Sequence, residues 1–254
     1  MITIEPIHAF TDNYIWAICY DKTVWVVDPG DAEPVIAYLQ AKKLTLSGVL
    51  ITHHHHDHCG GVKALRERYA IPVYGPKQDA ILATNFVEDK QKILLPECLL
   101  SLEVMTIPGH TLEHIAYYCK EEKLLFCGDT LFSAGCGRVF EGTMMQMYQS
   151  LMRLAALPDD TLIYCAHEYT LKNLLFAKTV EPNNRDIELR LDFLKGLRGE
   201  PSVPTPLALE RKINPFLRSH IPAVIAVAEN RAGKSLEDPV SVFSLIREWK
   251  NSFV

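Results

Sequence analysis

The chain has no run of apolar residues approaching the ~18 that a membrane span requires, and its 26 basic side chains fall short of its 31 acidic ones. The first absence argues against a transmembrane helix. The second gives a net charge of -5 and argues against nucleic-acid or anionic-membrane partners, because the counterion release that drives such binding needs a cationic surface. No C-x-x-C pair occurs among the seven cysteines, an odd number scattered from Cys19 to Cys165, which fits reduced thiols better than a disulfide framework or a zinc ribbon. The first residues carry Glu5, His8 and Asp12 where a signal peptide needs a basic start and an unbroken apolar core, so a cytoplasmic location is expected. Neither a repeat of fixed period nor a low-complexity tract interrupts the chain, and no feature marks an obligate protein partner. At 254 residues and 48% hydrophobic content it can bury a full core without staples.

Histidine, by contrast, is concentrated. Five of the 10 histidines lie in Thr52-His53-His54-His55-His56-Asp57-His58, directly after the apolar Gly48-Val49-Leu50-Ile51. An apolar run that stops at a ligand-rich turn reads as a buried strand ending at a site. Period-2 alternation through it would aim His53, His55 and Asp57 one way and His54 and His56 the other. An expression tag would lie at a terminus, whereas this run is followed by Gly60-Gly61 and by Val62, Leu65 and Tyr69 at helical spacing, predicting a helix over 60–70.

The remainder of the first half alternates strand and helix patterns, an α/β organisation. Strands are expected at Tyr14–Cys19, Thr23–Val27, Val49–Thr52, Ile71–Tyr74, Leu102–Ile107, Ile115–Cys119, Leu124–Cys127 and Leu162–Cys165, with a helix at Ala32–Lys42 and a turn at Asp28-Pro29-Gly30. Beyond His167 the strands should stop. Helical patterns at Leu171–Ala177 and Asp186–Leu197 precede a proline-rich stretch from Pro201 to Pro206, an apolar segment Ile221–Ala228, and a last helix Pro239–Phe253 with Asp238 as its N-cap. The expected division is a metal-binding catalytic domain over 1–168 and a helical substrate-binding domain over 169–254.

Four strand ends deliver groups that bind zinc, iron or manganese: His53, His55, Asp57, His58, His110, Asp129 and His167. Seven ligands exceed one tetrahedral ion. Two divalent ions per chain would use them all, His53, His55 and His110 on one, Asp57, His58 and His167 on the other, and Asp129 between them. Zinc stands ahead of iron or manganese. A lone His110 or His167 reads as a core histidine; each instead follows an apolar run in a loop, Pro108-Gly109-His110 and Ala166-His167-Glu168. His8, His54, His56, His114 and His220 are left as structural or surface residues, with His114 suited to orienting a neighbour. Cys59 reads as a small buried residue, and Glu141 and Glu168 as acid/base candidates that a metal site does not need.

The order T-H-x-H-x-D-H, then Gly-His, Gly-Asp-Thr and His resembles the metallo-β-lactamase superfamily, whose fold is an αββα sandwich, over about residues 1–168. Phe10-Thr11-Asp12-Asn13-Tyr14, Gly128-Asp129-Thr130-Leu131-Phe132, Gly135-Cys136-Gly137-Arg138, Glu141-Gly142, Cys165-Ala166-His167-Glu168-Tyr169-Thr170, Asn214-Pro215-Phe216-Leu217-Arg218, Arg247 and Lys250 resemble the glyoxalase II (hydroxyacylglutathione hydrolase) family along nearly the whole chain. The resemblance implies a metallo-β-lactamase-type α/β sandwich followed by a smaller α-helical domain. It implies hydrolysis of S-D-lactoylglutathione to D-lactate and glutathione, the second step of methylglyoxal detoxification. The seven residues above become metal ligands, with Asp57 and Asp129 the catalytic pair that serve a hydroxide nucleophile. Arg138, Phe140, Tyr169, Arg247 and Lys250 become glutathione contacts. Phe140 departs from the tyrosine many relatives carry, which implies one hydroxyl contact fewer.

A thiolate leaving group, with a thiol pKa near ~8.5 to 9, needs little protonation, consistent with a ligand set that lacks a dedicated acid. Arg247 and Lys250 lie at i and i+3, where they can clamp a carboxylate or simply complement the end of a helix. Arg138 is equally readable as one half of a surface ion pair. Phosphodiester hydrolysis, lactone opening and persulfide oxidation remain alternative chemistries on such metals, and a storage protein is the alternative outside catalysis.

Overall fold

The computed structural model describes residues 2–77 and 82–253 and divides into two compact units. The first contains residues 1–106, 113–128 and 164–167; the second contains 107–112, 129–163 and 168–254.

The first unit is built on two sheets. One holds β1 (Thr3–Ala9), β2 (Asn13–Tyr20), β3 (Thr23–Val27), β4 (Thr45–Leu50), β5 (Val73–Gly75) and β6 (Asn85–Phe86) in that spatial order. β1, β2 and β3 pair antiparallel, and β3 to β6 pair parallel. The crossover from β3 to β4 is helix α1 (Ala32–Lys42), whose Asp31 cap accepts the Glu33 N–H at 3.0 Å. The other sheet runs β7 (Lys92–Leu95), β8 (Leu100–Thr106), β9 (Ile115–Cys119), β10 (Leu124–Gly128) and β13 (Leu162–Cys165), with β7 to β10 antiparallel.

β2 shows how the sequence makes this core. All its residues but Tyr20 are buried, and alternation divides them between two environments. Ile15, Ala17 and Cys19 join Val24 and Val26 of β3 in a cluster with Val35, Ile36 and Leu39 of α1. Val62 and Leu65 of α3 (Val62–Tyr69), which follows the short α2 (His56–Cys59), belong to the same cluster. Trp16 points the other way, its indole N–H donating to the Cys165 carbonyl at 2.8 Å and its ring meeting Tyr164 edge-on at 4.9 Å. Each fully buried Val, Ile or Leu of this layer contributes about 1.5–3 kcal/mol.

The second unit carries the hairpin β11 (Leu131–Phe132) and β12 (Gly135–Cys136), then α4 (Met144–Ala155) with a Thr143–Gln146 capping box. Helices α5 (Thr170–Val180), α6 (Arg185–Gly196), α7 (Leu207–Ile213), α8 (Pro222–Ala232) and α9 (Pro239–Asn251) follow. Asp238 caps α9 through Ser241 N–H at 2.7 Å, as expected. Ala134, Leu174, Ala177, Ile187 and Ile213 form one core cluster. The expectation that strands stop after His167 is corrected by β14 (Thr205–Pro206), which pairs with Leu162 and Ile163. Backbone pairing asks for little side-chain pattern, so a two-residue strand in a proline-rich stretch leaves no periodicity to read. The helix expected over 60–70 is shorter, 62–69, because His56–Cys59 takes the first turn as a separate element.

Candidate functional site

β4 ends at Leu50, two residues earlier than expected, and the alternation expected through the histidine run stops at His56. The N–H groups of His58 and Cys59 donate to the His55 carbonyl at 2.9 and 3.1 Å, closing a helical turn. Asp57 and His58 are therefore aimed by a turn of helix, not by strand geometry. The glycine at 30 is required here, since a Cβ would sit 1.9 Å from the Asp57 carbonyl oxygen.

Asp28 follows β3 with a left-handed φ of 53° and is buried. Its carboxylate accepts the N–H and the hydroxyl of Thr52, each at 2.7 Å, and the Nδ1 of His58 at 3.0 Å. The Thr52 hydroxyl, having given its proton to Asp28, accepts from His53 Nδ1 at 3.0 Å. A carboxylate oxygen only accepts, so His58 and His53 carry their protons on Nδ1 and present the Nε2 lone pair. His167 is set the same way by Asp12 Oδ1, 2.9 Å from its Nδ1. Asp57 Oδ2 then lies 3.4 Å from His58 Nε2 and 3.5 Å from His167 Nε2, and it accepts from Asn13 Nδ2 at 3.0 Å. His53 Nε2 faces His55 Nδ1 at 3.1 Å, and His114, fully buried, stacks on the His53 ring at 4.5 Å.

In the second unit the Arg138 carbonyl accepts from His110 Nδ1 at 2.8 Å, which again puts the Nε2 lone pair forward, 3.5 Å from Asp129 Oδ2. The donor chemistry in both units fits divalent cations. Lone pairs of neutral imidazoles and carboxylates converge, and His53, His58, His110 and His167 each have the other nitrogen held by an oxygen acceptor, the arrangement metal-ligating histidines show.

The second unit also holds a cavity of about 280 Å³ walled by β12, α5 and α9. Arg138, Lys172, Arg247 and Lys250 line it with Tyr169 and Cys136, and its lining includes no acidic residue. Arg247 is buried at 5% exposure and donates from Nη1 to the Cys136 carbonyl at 2.6 Å. Burial, then Arg247 and Lys172, push the Lys250 ammonium down to about 8. Phe140 is not among the lining residues; it is 59% exposed, its ring edge-on to His110 at 5.3 Å and 5.8 Å from the Arg138 guanidinium.

His8, His56 and His220 are exposed, and Cys59 is buried with its thiol donating to the His54 carbonyl. Glu141 accepts the Leu112 N–H at 2.9 Å, and Glu168 accepts both the N–H and the hydroxyl of Ser202. Sequence reasoning missed Asp12, Asp28, Thr52 and Lys172. Asp12 and Asp28 each end a segment next to a strand, a signal shared by many turn residues.

These elements define a metallo-β-lactamase-type protein: the profile described as the metallo-beta-lactamase superfamily matches residues 10–97 and 99–167, and among solved structures ETHE1 from Myxococcus xanthus is similar with a TM-score of 0.66 and 27% identity over 98% of each chain. TTHA1623 in a di-iron-bound form is similar with a TM-score of 0.59 and 25% identity, over 84% of this chain and 100% of that one. A second profile, the hydroxyacylglutathione hydrolase C-terminus, matches residues 168–253. The hydroxyacylglutathione hydrolase of Aeromonas hydrophila subsp. hydrophila is 52% identical, and that of Nitrosomonas eutropha 48%, each over 100% of both chains. The chain belongs to the hydroxyacylglutathione hydrolase family. It has the metallo-β-lactamase fold with a helical C-terminal region, and its His/Asp clusters are those of a metal-binding hydrolase. Among the described residues no helix is long and apolar enough to cross a membrane.

Proposed function

We propose that this protein hydrolyses S-2-hydroxyacylglutathione thioesters, taking S-D-lactoylglutathione to D-lactate and glutathione, the second step of methylglyoxal detoxification. The observation that carries this reading is a basic cavity with no acidic lining in a chain that also carries an imidazole and carboxylate ligand set. Residues 1–168 form the catalytic domain and 169–254 the substrate-binding domain in this reading, and the cytoplasm is where it acts.

His53, His55, Asp57, His58, His110, Asp129 and His167 hold two divalent ions, with zinc ahead of iron or manganese. Such ions lower the pKa of water toward neutrality and polarise a carbonyl oxygen. Asp57 and Asp129 supply the carboxylate ligands. Asp28, Thr52, Asp12 and the Arg138 carbonyl keep the Nε2 atoms of four imidazoles deprotonated and aimed. No side chain is needed to protonate the departing thiolate, in keeping with Glu141 and Glu168 being committed to Leu112 and Ser202. Glutathione carries two carboxylates, and Arg247 and Lys250, with Arg138 and Tyr169, bind them and the peptide beside them. Phe140 contributes its backbone and an apolar ring.

Hydrolysis of S-D-lactoylglutathione, followed through the thioester absorbance with metal content measured on the same sample, tests this reading. Turnover with about two metals per chain is expected; metal-loaded protein that leaves the thioester intact overturns it.

The Lys250 ammonium adds a pH signature. With its pKa held near 8, the free protein loses this charge as pH rises through 8, so attraction for an anionic substrate is present below that pH and weakens above it. KM is expected to rise by roughly 3- to 10-fold between pH 7 and 9, and Lys250→Gln should have a high, flat KM over the same range. An unchanged KM in the unsubstituted enzyme would count against the clamp.

A further inference from the structure

The Asn214-Pro215-Phe216-Leu217-Arg218 segment has no part in the function described above, yet its side chains are engaged throughout. Asn214 Nδ2 donates to the carbonyl oxygens of Phe132 at 3.1 Å and Gly135 at 2.9 Å, so it pins the β11–β12 hairpin from both sides of its turn. Its Oδ1 accepts the Phe216 N–H at 3.1 Å. Arg218 closes the segment with a two-point pair to Glu181, at 2.7 and 2.9 Å. Between these anchors Phe216 is fully buried, and the Arg247 guanidinium carbon lies 5.0 Å from the centre of its ring.

Arg247 is thus held on a face and on an edge. Nη1 donates to the Cys136 carbonyl, one residue beyond the carbonyl that Asn214 pins, and Nη2 donates to Asn251 at 3.2 Å. Nε is buried and has no hydrogen-bond partner among the described residues. No carboxylate bonds to this guanidinium among the described residues, although Arg247 lines the cavity. A desolvated guanidinium is tolerated where hydrogen bonds and an aromatic face replace its water, and its planar fork is worth most when its orientation is fixed.

We propose that Phe216 is a positioning residue for ligand binding: its ring fixes the plane of the Arg247 guanidinium and so sets the affinity of the cavity for a carboxylate of the glutathione moiety. This inference rests on the thioester reading above. Phe216 touches no substrate; it acts through Arg247, and Asn214 supports it by holding the hairpin whose Cys136 carbonyl receives Nη1. Leucine at 216 keeps most of the volume and removes the negative face of the ring.

The test is a double-substitution cycle of Phe216→Leu and Arg247→Ala in the metal-loaded enzyme. KM, kcat, metal content and thermal midpoint are read for the thioester, and glutathione affinity is read by calorimetry. Phe216→Leu is expected to raise KM and the glutathione Kd by roughly 5- to 30-fold, with kcat within about two-fold and metal retained. With Arg247 already replaced, the same substitution should leave KM and Kd unmoved while still lowering the midpoint, because a lost packing contact is felt in both backgrounds and a lost orientation in only one. Phe216→Tyr, which keeps the ring, should restore the native KM. An equal effect of Phe216→Leu in both backgrounds, or none in the native one, overturns the proposal. Should the leucine variant fail to fold, Phe216→Met fills the site and the same criteria apply. If the native enzyme binds glutathione without hydrolysing the thioester, the reaction assigned above falls and the calorimetric cycle still decides the role of Phe216; if it does neither, both fall.

Discussion

Asp129→Ala is expected to lower thioester turnover by more than about 100-fold and to lose part of its metal with it, since replacing even residues that only support metal ligands costs 10–100-fold. Asp57 and Asp129 are the two carboxylates in a proposed set otherwise made of neutral imidazoles, so deleting Asp129 takes away half of the anionic compensation for two dications. His110 Nε2, 3.5 Å from Asp129 Oδ2, keeps its tautomer through the Arg138 carbonyl and so remains a competent ligand on its own. The loss should therefore be partial in metal and near-complete in rate. Metal per chain and kcat/KM measured on one preparation check this; a variant with full metal and turnover within a few-fold of native would sink the proposed role of Asp129.

Asp28→Asn should be nearly as damaging, though nothing is deleted in volume. Asp28 accepts three hydrogen bonds, two from Thr52 and one from His58. With its oxygen in the place of Oδ1 an amide still accepts the Thr52 N–H, but its NH2 group must then face both the Thr52 hydroxyl and His58 Nδ1. That donor forces the proton of His58 onto Nε2, the atom directed at Asp57, and a protonated nitrogen does not bind metal. The opposite amide orientation keeps an acceptor for His58 and the Thr52 hydroxyl but sets a donor against the Thr52 N–H, leaving that buried donor unsatisfied at about 1–3 kcal/mol. The first orientation spares the Thr52 N–H and is the one expected, and with His58 so switched apparent metal affinity falls by about 10–100-fold. Competition against a chelator measures the affinity, and nitrogen-15 histidine spectra read the tautomer. Native affinity together with an Nδ1-protonated His58 would refute the argument.

Asp28 also marks where sequence reading ran out. The strands Thr23–Val27, Ile115–Cys119 and Leu162–Cys165 and the helix Ala32–Lys42 are found at their expected bounds, because each carries its own periodicity or cap. The histidine run stood out as a candidate ligand set because five imidazoles and a carboxylate in six residues are more than a core or a surface turn asks for. Asp28-Pro29-Gly30 reads only as a turn, since the partners that make Asp28 matter are 24 and 30 residues away. Asp12 meets His167 across 155 residues, and no local pattern encodes that. The alternation expected for His53, His55 and Asp57 failed for a local reason, the helical turn closing on the His55 carbonyl, which the glycines at 60 and 61 hinted at without fixing its start. α4 was passed over although its buried and exposed faces are well separated, and β1 because Pro6 interrupts its pattern.

The Asn214 bonds to the β11–β12 hairpin span 82 and 79 residues of chain. At about 5–20 residues per second, synthesis takes roughly 4–16 s to bring Asn214 out after the hairpin has appeared. Arg247, the partner of Cys136, comes 111 residues after it. The segment that begins with Asp129 is therefore made long before its supports exist. A stalled or truncated nascent chain would display the histidine run without the hairpin anchors, and the second unit is finished only once Arg247 has been made.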